Sequence, residues 1–197
     1  MTSSRNWDCA DWKALGRRVL SASKFEMNDS GAAAGSSFNI APALRIARPA
    51  EYAELGRIAL QAKGSWGYAD AQLDAWRGDL SVSPESISRM PTFVAEVEGS
   101  VCGWCQLDVE REPAHLEHLW VLPEAMGRGI GRALVVHAAA HAAQHGVSAL
   151  WIQSDPNAES FYVACGARRT GEIAAPIEGS PHRVLPLMVL PTVRGGG

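Results

Sequence analysis

A mixed α/β fold in a single domain is what this sequence predicts, and three observations predict it. From residue 42 onward, short β-patterned runs alternate with longer runs of helical period. A hairpin pattern lies mid-chain, where Glu98-Gly99-Ser100 separates two apolar runs. A glycine-rich loop then joins a strand to a long alanine-rich helix.

Leu44–Ala47 reads as a short strand, and a helix follows over Pro49–Gln61 with Tyr52, Leu55, Ile58 and Ala59 on one face. Ser65-Trp66-Gly67-Tyr68 breaks it, and a second helix over about Asp70–Leu80 aligns Leu73, Trp76 and Leu80. Thr92–Val97 and Val101–Val109 form the hairpin, and His115–Val121 is the next strand. The helix Ile130–His145 is closed by Gly146 in the C′ role. Val147–Gln153 is a strand. Asp155 can cap a helix with Pro156 at its first position, and Gly166 ends that helix. Ala167–Thr170 and Arg183–Leu190 complete the strands.

The domain organisation follows. Residues 1–41 are expected to be an extension, either disordered or carrying one amphipathic helix over Asp8–Leu20 (Trp12, Leu15, Val19, Leu20), with a Ser/Gly/Ala-rich linker over Asn28–Asn39. Residues 42–191 form the domain, and residues 192–197 are a flexible tail. The 197 residues, 47% apolar and 20% charged, fit an ordinary globular protein. A net charge of −3 gives no footprint for nucleic acid. No apolar run approaches a membrane span, and Met1–Glu26 lacks the apolar core of a secretory signal. Four scattered cysteines make no disulfide framework, so a reduced, cytoplasmic setting is expected.

The chemistry concentrates in Leu119-Trp120-Val121-Leu122-Pro123-Glu124-Ala125-Met126-Gly127-Arg128-Gly129-Ile130-Gly131-Arg132. Glycines permit positive φ and close backbone approach, and free N–H groups at a helix start attract an anion. Arg128 and Arg132 add charge beside them. A pyrophosphate fits such a loop. The Gly-Lys-Ser/Thr of a P-loop is absent. A dinucleotide loop wants Gly-x-Gly-x-x-Gly directly after its strand with an acid roughly 20 residues on. Here the pattern is Gly-x-Gly-x-Gly after an intervening Leu122–Met126, although Asp155 stands at a suitable distance. A dinucleotide site and an ordinary tight turn remain the competing readings of the loop alone.

These residues resemble motif A of the GNAT superfamily of N-acetyltransferases, Arg/Gln-x-x-Gly-x-Gly/Ala after a Val-x-Pro segment. Val121-Leu122-Pro123 and Gly129-Ile130-Gly131 match, whereas Met126 stands where the family usually has Arg or Gln. Pro156–Ala167 resembles motif B, and the likeness spans about Ala43–Leu190. It implies a central mixed, mostly antiparallel sheet flanked by helices, and an acetyl-CoA co-substrate with no metal. The backbone of Leu119, Trp120 and Val121 would pair with the pantetheine arm. Met126, Gly127, Arg128, Gly129, Ile130, Gly131 and Arg132 would form the pyrophosphate loop, and Asn157 would bond the pantetheine. Tyr162 would face the thioester sulfur as general acid, since a phenol of pKa about 10 can protonate a departing thiolate.

The implied reaction is direct attack by a primary amine in a ternary complex. Glu117 is the first candidate base, because family members often use a Glu on this strand; His118 and solvent are the others. Trp66 and Tyr68, within Lys63-Gly64-Ser65-Trp66-Gly67-Tyr68, are the candidate substrate contacts, and Asp70 and Asp74 could draw in a cation. The acceptor expected is a small-molecule amine or a peptide, and a homodimer is compatible with the fold. A non-catalytic CoA-binding module and a dinucleotide-dependent oxidoreductase are the alternatives.

Cys102-Gly103-Trp104-Cys105 reads as two strand cysteines on opposite faces rather than a redox or zinc site. His137, His141 and His145 read as a solvent-facing row of the long helix.

Overall fold

The computed structural model describes residues 42–192, so the expected helix over Asp8–Leu20, the linker over Asn28–Asn39 and the last five residues lie outside it. Seven strands form one sheet: β1 (Ala43–Ile46), β2 (Thr92–Val97), β3 (Ser100–Asp108), β4 (His115–Val121), β5 (Ala149–Gln153), β6 (Arg168–Ala174) and β7 (Val184–Pro191). Their spatial order is β1-β2-β3-β4-β5-β7-β6. The β4–β5 pair is parallel and every other pair is antiparallel. The mixed, mostly antiparallel sheet flanked by helices is therefore present.

Helices α1 (Tyr52–Gly64) and α4 (Ile130–Gln144) cover opposite faces. Adjacent residues of β3 show this. Trp104 is fully buried and its indole Nε1–H donates to the Leu55 carbonyl of α1 at 2.8 Å. Cys105, also fully buried, turns its sulfur to the Leu134 carbonyl of α4. Successive strand side chains alternate between faces, which is why neighbours reach different helices. The buried alanines Ala138, Ala139, Ala142 and Ala143 let α4 lie close to the sheet. Gly103 extends that closeness: a Cβ there would lie 2.9 Å from the Trp120 carbonyl oxygen and 3.3 Å from Leu134 Cδ1.

The α1 stripe is Leu55, Ile58, Ala59, Ala62 and Lys63, so the buried face ends on a charged residue. A 3-10 turn over Pro49–Glu51 precedes α1, which starts later than the sequence pattern predicts. Arg45 of β1 divides its guanidinium between Glu51 and Glu96, with Nη2 at 2.6 Å from each. These bonds from Arg45 hold the Glu51 carboxyl down to about 2 against the cost of burial.

Several elements depart from the sequence pattern. Helix α2 (Asp70–Trp76) stops short of Leu80, which is buried from a following turn in which its N–H bonds Trp76. A helix α3 (Pro84–Arg89), capped by Ser83, stands where none is expected; its six residues are too few to show a period. Strand β6 runs on to Ala174 past an irregularity at Gly171. The histidine row is not simply solvent-facing. His137 and His141 meet the Phe93 ring edge-on at 4.5 and 5.1 Å, so the row packs over the end of β2. Cys102 and Cys105 are free and separate, with Cys102 Sγ–H directed at the Ala95 carbonyl. Among the described residues, no helix is long and apolar enough to cross a membrane.

Two tests follow. Gly103→Val should destabilise the protein by about 1–3 kcal/mol through overpacking, measured by urea unfolding; an unchanged midpoint would mean α4 is free to retreat. A carboxyl lowered on folding stabilises above its unfolded pKa of about 4.5 and loses that contribution as pH falls toward about 2. Glu51→Gln should therefore reduce stability at pH 7 and flatten the decline between those pH values, in melts taken across the acid range.

Candidate active site at the parting of two strands

Strands β4 and β5 touch at one end and then separate. His115 pairs with Trp151, and the Trp151 N–H donates to the Ala114 carbonyl at 2.9 Å. Beyond that bridge β4 continues to Val121, while β5 ends at Gln153 and turns away through Ser154 and Asp155. On its other edge the Leu122 N–H donates to the Cys102 carbonyl at 2.8 Å. Bonded and unbonded residues alternate along an antiparallel ladder, so Leu119 and Val121 turn their peptide groups into the gap. The Trp120 side chain lies opposite Trp104 on the α1 face.

The α4 start lies beside this gap. Gly129 caps the helix at φ 80° and Gly127 precedes it at φ 73°, a region that disfavours other residues. The first bond of the helix is from the Ala133 N–H to the Gly129 carbonyl. Across Gly127–Arg132, six consecutive backbone N–H groups have no acceptor among the described residues, and no side chain caps them. Helix α4 carries no acidic residue in its first turn. Gly131 acts through packing instead. A Cβ there would lie 3.1 Å from the Phe161 ring, so its bare backbone lets helix α5 (Glu159–Ala164) approach. Arg128 is exposed, and Arg132 donates to the Ala164 carbonyl at the end of α5 at 3.0 Å. Met126 is exposed, and its N–H is bonded to the Pro123 carbonyl.

Tyr162 of α5 is buried beside Cys105 and Cys165, and burial raises its phenol pKa above the usual value. Among the described residues no group hydrogen-bonds its hydroxyl. It thus keeps its proton across the ordinary pH range. On β4, the ladder shifts register between Gln106 and Leu107, leaving Glu117 as the extra residue of a bulge. Its carboxylate pairs with Arg111 at 3.1 Å and lies 3.9 Å from His115 Nδ1. His118 is packed over Trp104 with ring centroids 5.0 Å apart, and burial lowers its pKa to about 4. Its Nδ1 accepts from Trp120 Nε1–H at 3.2 Å, so the neutral ring carries its proton on Nε2 and is a donor there.

An ionic node occupies the α1 side of the gap. The buried Asp155 carboxylate accepts from Lys63 Nζ at 2.5 Å, Tyr68 Oη at 2.8 Å and Arg183 Nη2 at 3.0 Å. Asn157 adds its backbone N–H and its Nδ2–H, each at 2.9 Å, and Nδ2 also lies 3.2 Å from Tyr68 Oη. The expected cap at Asp155 is therefore present, closing a 3-10 turn over Pro156–Ala158 that leads into α5. Trp66 approaches Trp120 of β4 with centroids 6.2 Å apart, so the node reaches across from β5 to β4. Asp74, considered above as a cation lure, pairs with its own neighbour Arg77 at the surface. Arg183 is the member that sequence reasoning passed over, and Lys63 is named there only within its segment, with no role of its own. Lys63 carried a signal, since it falls eight positions after Leu55 on the apolar stripe of α1, where a charge needs a buried partner.

Among the described residues, no three His, Cys, Asp or Glu side chains are grouped to hold a metal ion. A dinucleotide site fits poorly: the sheet is not a parallel doubly wound one, and the Asp155 carboxylate is already saturated.

Comparison with known proteins places this geometry. A search of curated proteins found no match. Among solved structures, a GCN5-related N-acetyltransferase from Rhodopseudomonas palustris superposes with a TM-score of 0.66 at 23% identity, over 79% of this chain and 98% of that one. PaiA N-acetyltransferase from Thermoplasma acidophilum, solved with coenzyme A, gives 0.59 at 18% identity over 76% and 98%. YncA from Salmonella typhimurium, a putative acetyltransferase solved with acetyl-CoA, gives 0.58 at 20% identity over 79% and 96%. At these identities the likeness is one of fold. The sequence itself matches the family described as Acetyltransferase (GNAT) family over residues 53–167, which is more than half the chain and includes the Gly127–Arg132 loop, the node's Lys63 and Asp155, and Tyr162. On that match, the chain belongs to the acetyltransferase (GNAT) family.

Proposed function

We propose that this protein transfers an acetyl group from acetyl-CoA to a primary amine. The observation that carries the reading is the run of six unaccepted N–H groups over Gly127–Arg132 at the positive end of α4. Those amides suit the two phosphates of coenzyme A, with the exposed Arg128, which makes no ion pair among the described residues, as the loop's cation. The peptide groups of Leu119 and Val121, turned into the gap, suit the amides of the pantetheine arm. The Nδ2–H of Asn157 is occupied by the node, which leaves its side-chain oxygen as the atom able to receive a pantetheine N–H.

Acetyl-CoA, when bound, supplies an acetyl thioester open to attack by an amine. Tyr162 serves the leaving side: its side chain is buried, its hydroxyl is protonated, and among the described residues no group competes for it. That is the state a proton donor to a departing sulfur requires. On the attacking side, an alkylammonium of pKa about 10.4 must lose a proton before it can react. His118 is a poor acceptor, because Trp120 already holds its Nδ1 and Nε2 carries the hydrogen. Glu117, at the bulge of β4 and partly open to solvent, is the better-placed base, acting directly or through water.

Acetyl-CoA at 100 times its dissociation constant should stabilise the protein by about 2.7 kcal/mol, read as a rise in melting temperature. Gly129→Glu, which puts a side chain at positive φ and a carboxylate into the amide run, should abolish that rise while leaving the unliganded protein folded. No rise for the wild type at millimolar CoA would refute the reading. Tyr162→Phe should lower kcat by about 10²–10⁴ with CoA affinity nearly unchanged, measured by free-thiol release. Unaltered turnover would remove the phenol from the reaction.

A further inference from the structure

We propose that the acetyl acceptor is an amine that also bears a carboxylate, received by Lys63 and Arg183 at the Asp155 node. The proposal rests on the acetyl-transfer reading of the same cleft and names the acceptor class that reading leaves open.

The argument begins with charge. Lys63 and Arg183 share one carboxylate, and among the described residues no second carboxylate pairs with either. With both cations ionised, the node carries an excess of one positive charge. The side chains of Lys63, Arg183 and Asp155 are 9%, 8% and 5% exposed, too buried for bulk water to screen that excess.

Hydrogen-bond valence gives the same answer independently. Asp155 has about four lone-pair sites and already receives Lys63, Tyr68, Arg183 and two N–H groups of Asn157. It is full. The donors are not: Lys63 has three N–H groups and one acceptor among the described residues, and the buried Arg183 Nε–H has none. Water could fill the spare donors but could not balance the charge, whereas an entering carboxylate does both. Burial and the neighbouring Arg183 push the Lys63 pKa down, and a bound carboxylate would push it back up.

Position ties the node to the reaction. The amide run and Tyr162 lie on the α4 side of the sheet, the node on the α1 side, and the gap between β4 and β5 joins them. Trp66 and Tyr68, both half-buried, lie against Lys63, Tyr68 also lies against Arg183, and Asn157 beside them is exposed. An acceptor held there by its carboxylate enters opposite the coenzyme.

The test uses the full chain and matched acceptors: a panel of L-amino acids, the carboxamide of each, and the decarboxylated amine of each, scored by free-thiol release. The acids should exceed their amides and amines in kcat/KM by at least about tenfold. Arg183→Gln should erase most of that preference through KM, and Arg183→Lys should retain part of it. Equal or better use of the uncharged analogues by the wild type, or an unchanged preference in Arg183→Gln, would overturn the proposal. A second measurement does not need turnover. N-acetyl amino acids titrated into the CoA-saturated protein should give a saturable change in tryptophan emission, because Trp66 and Trp76 lie over Lys63. Arg183→Gln and Lys63→Met should lose it. A response no larger than that of chloride at equal ionic strength would also overturn the proposal. If acetyl-CoA fails to bind at all, the acetyl-transfer reading falls by itself, and the same titration made into the unliganded protein still reports on the node.

Discussion

The parting of β4 from β5 is the constraint on which the rest of this structure depends. A parallel pair that stayed together would use the peptide groups of β4 on both edges. Here the pair is bridged at His115 and Trp151, and the chain then turns out of the sheet at Asp155. What is left is a strand edge inside the domain, with backbone donors and acceptors that a folded protein ordinarily satisfies. A ligand with its own amides and carbonyls, laid along that edge, would complete the ladder, which is the place proposed for the coenzyme. The same parting leaves a gap in the sheet between its two faces.

Each face sets a different chemistry beside that gap. On the α4 face the contribution is backbone: an amide run held open by two glycines at positive φ, with Gly131 letting α5 and Tyr162 close in beside it. On the α1 face it is side-chain charge: Asp155 draws Lys63, Tyr68, Arg183 and Asn157 together and ties three loops to one point. The buried ion pair is a poor source of stability, since desolvation offsets most of its attraction. Its effect is positional. It holds the α1–α2 connection, the turn before α5 and the approach to β7 in one arrangement.

Much of this was legible in the sequence because it is local. Glycine spacing, Val121-Leu122-Pro123 and the apolar periods carry the loop, the strand before it and the helix after it within a few turns of chain. The order of elements and the mixed α/β class follow from the same short-range patterns, and the mostly antiparallel sheet from the family resemblance that those motifs carry. The node was not legible, because its members are brought together by the fold: Lys63 and Asp155 are 92 residues apart in sequence. Asp155 was readable as a cap, Trp66 and Tyr68 as candidate acceptor contacts, and Arg183 as nothing more than the start of a strand. Neither was the divergence of β4 and β5, since both segments have ordinary strand patterns and what separates them is a turn beyond the end of β5. Helix α3 was missed for want of length, and the partial burial of His137 and His141 because it depends on Phe93 from another strand.

Backbone hydrogen exchange with and without coenzyme A tests the central claim most directly, because the claim concerns particular N–H groups. Protection should appear at Gly127–Arg132 and at Leu119 and Val121 when the coenzyme is added, with β1, β2 and β6 unchanged. Exchange at those amides that is indifferent to the coenzyme, or protection confined to another part of the sheet, would contradict the account.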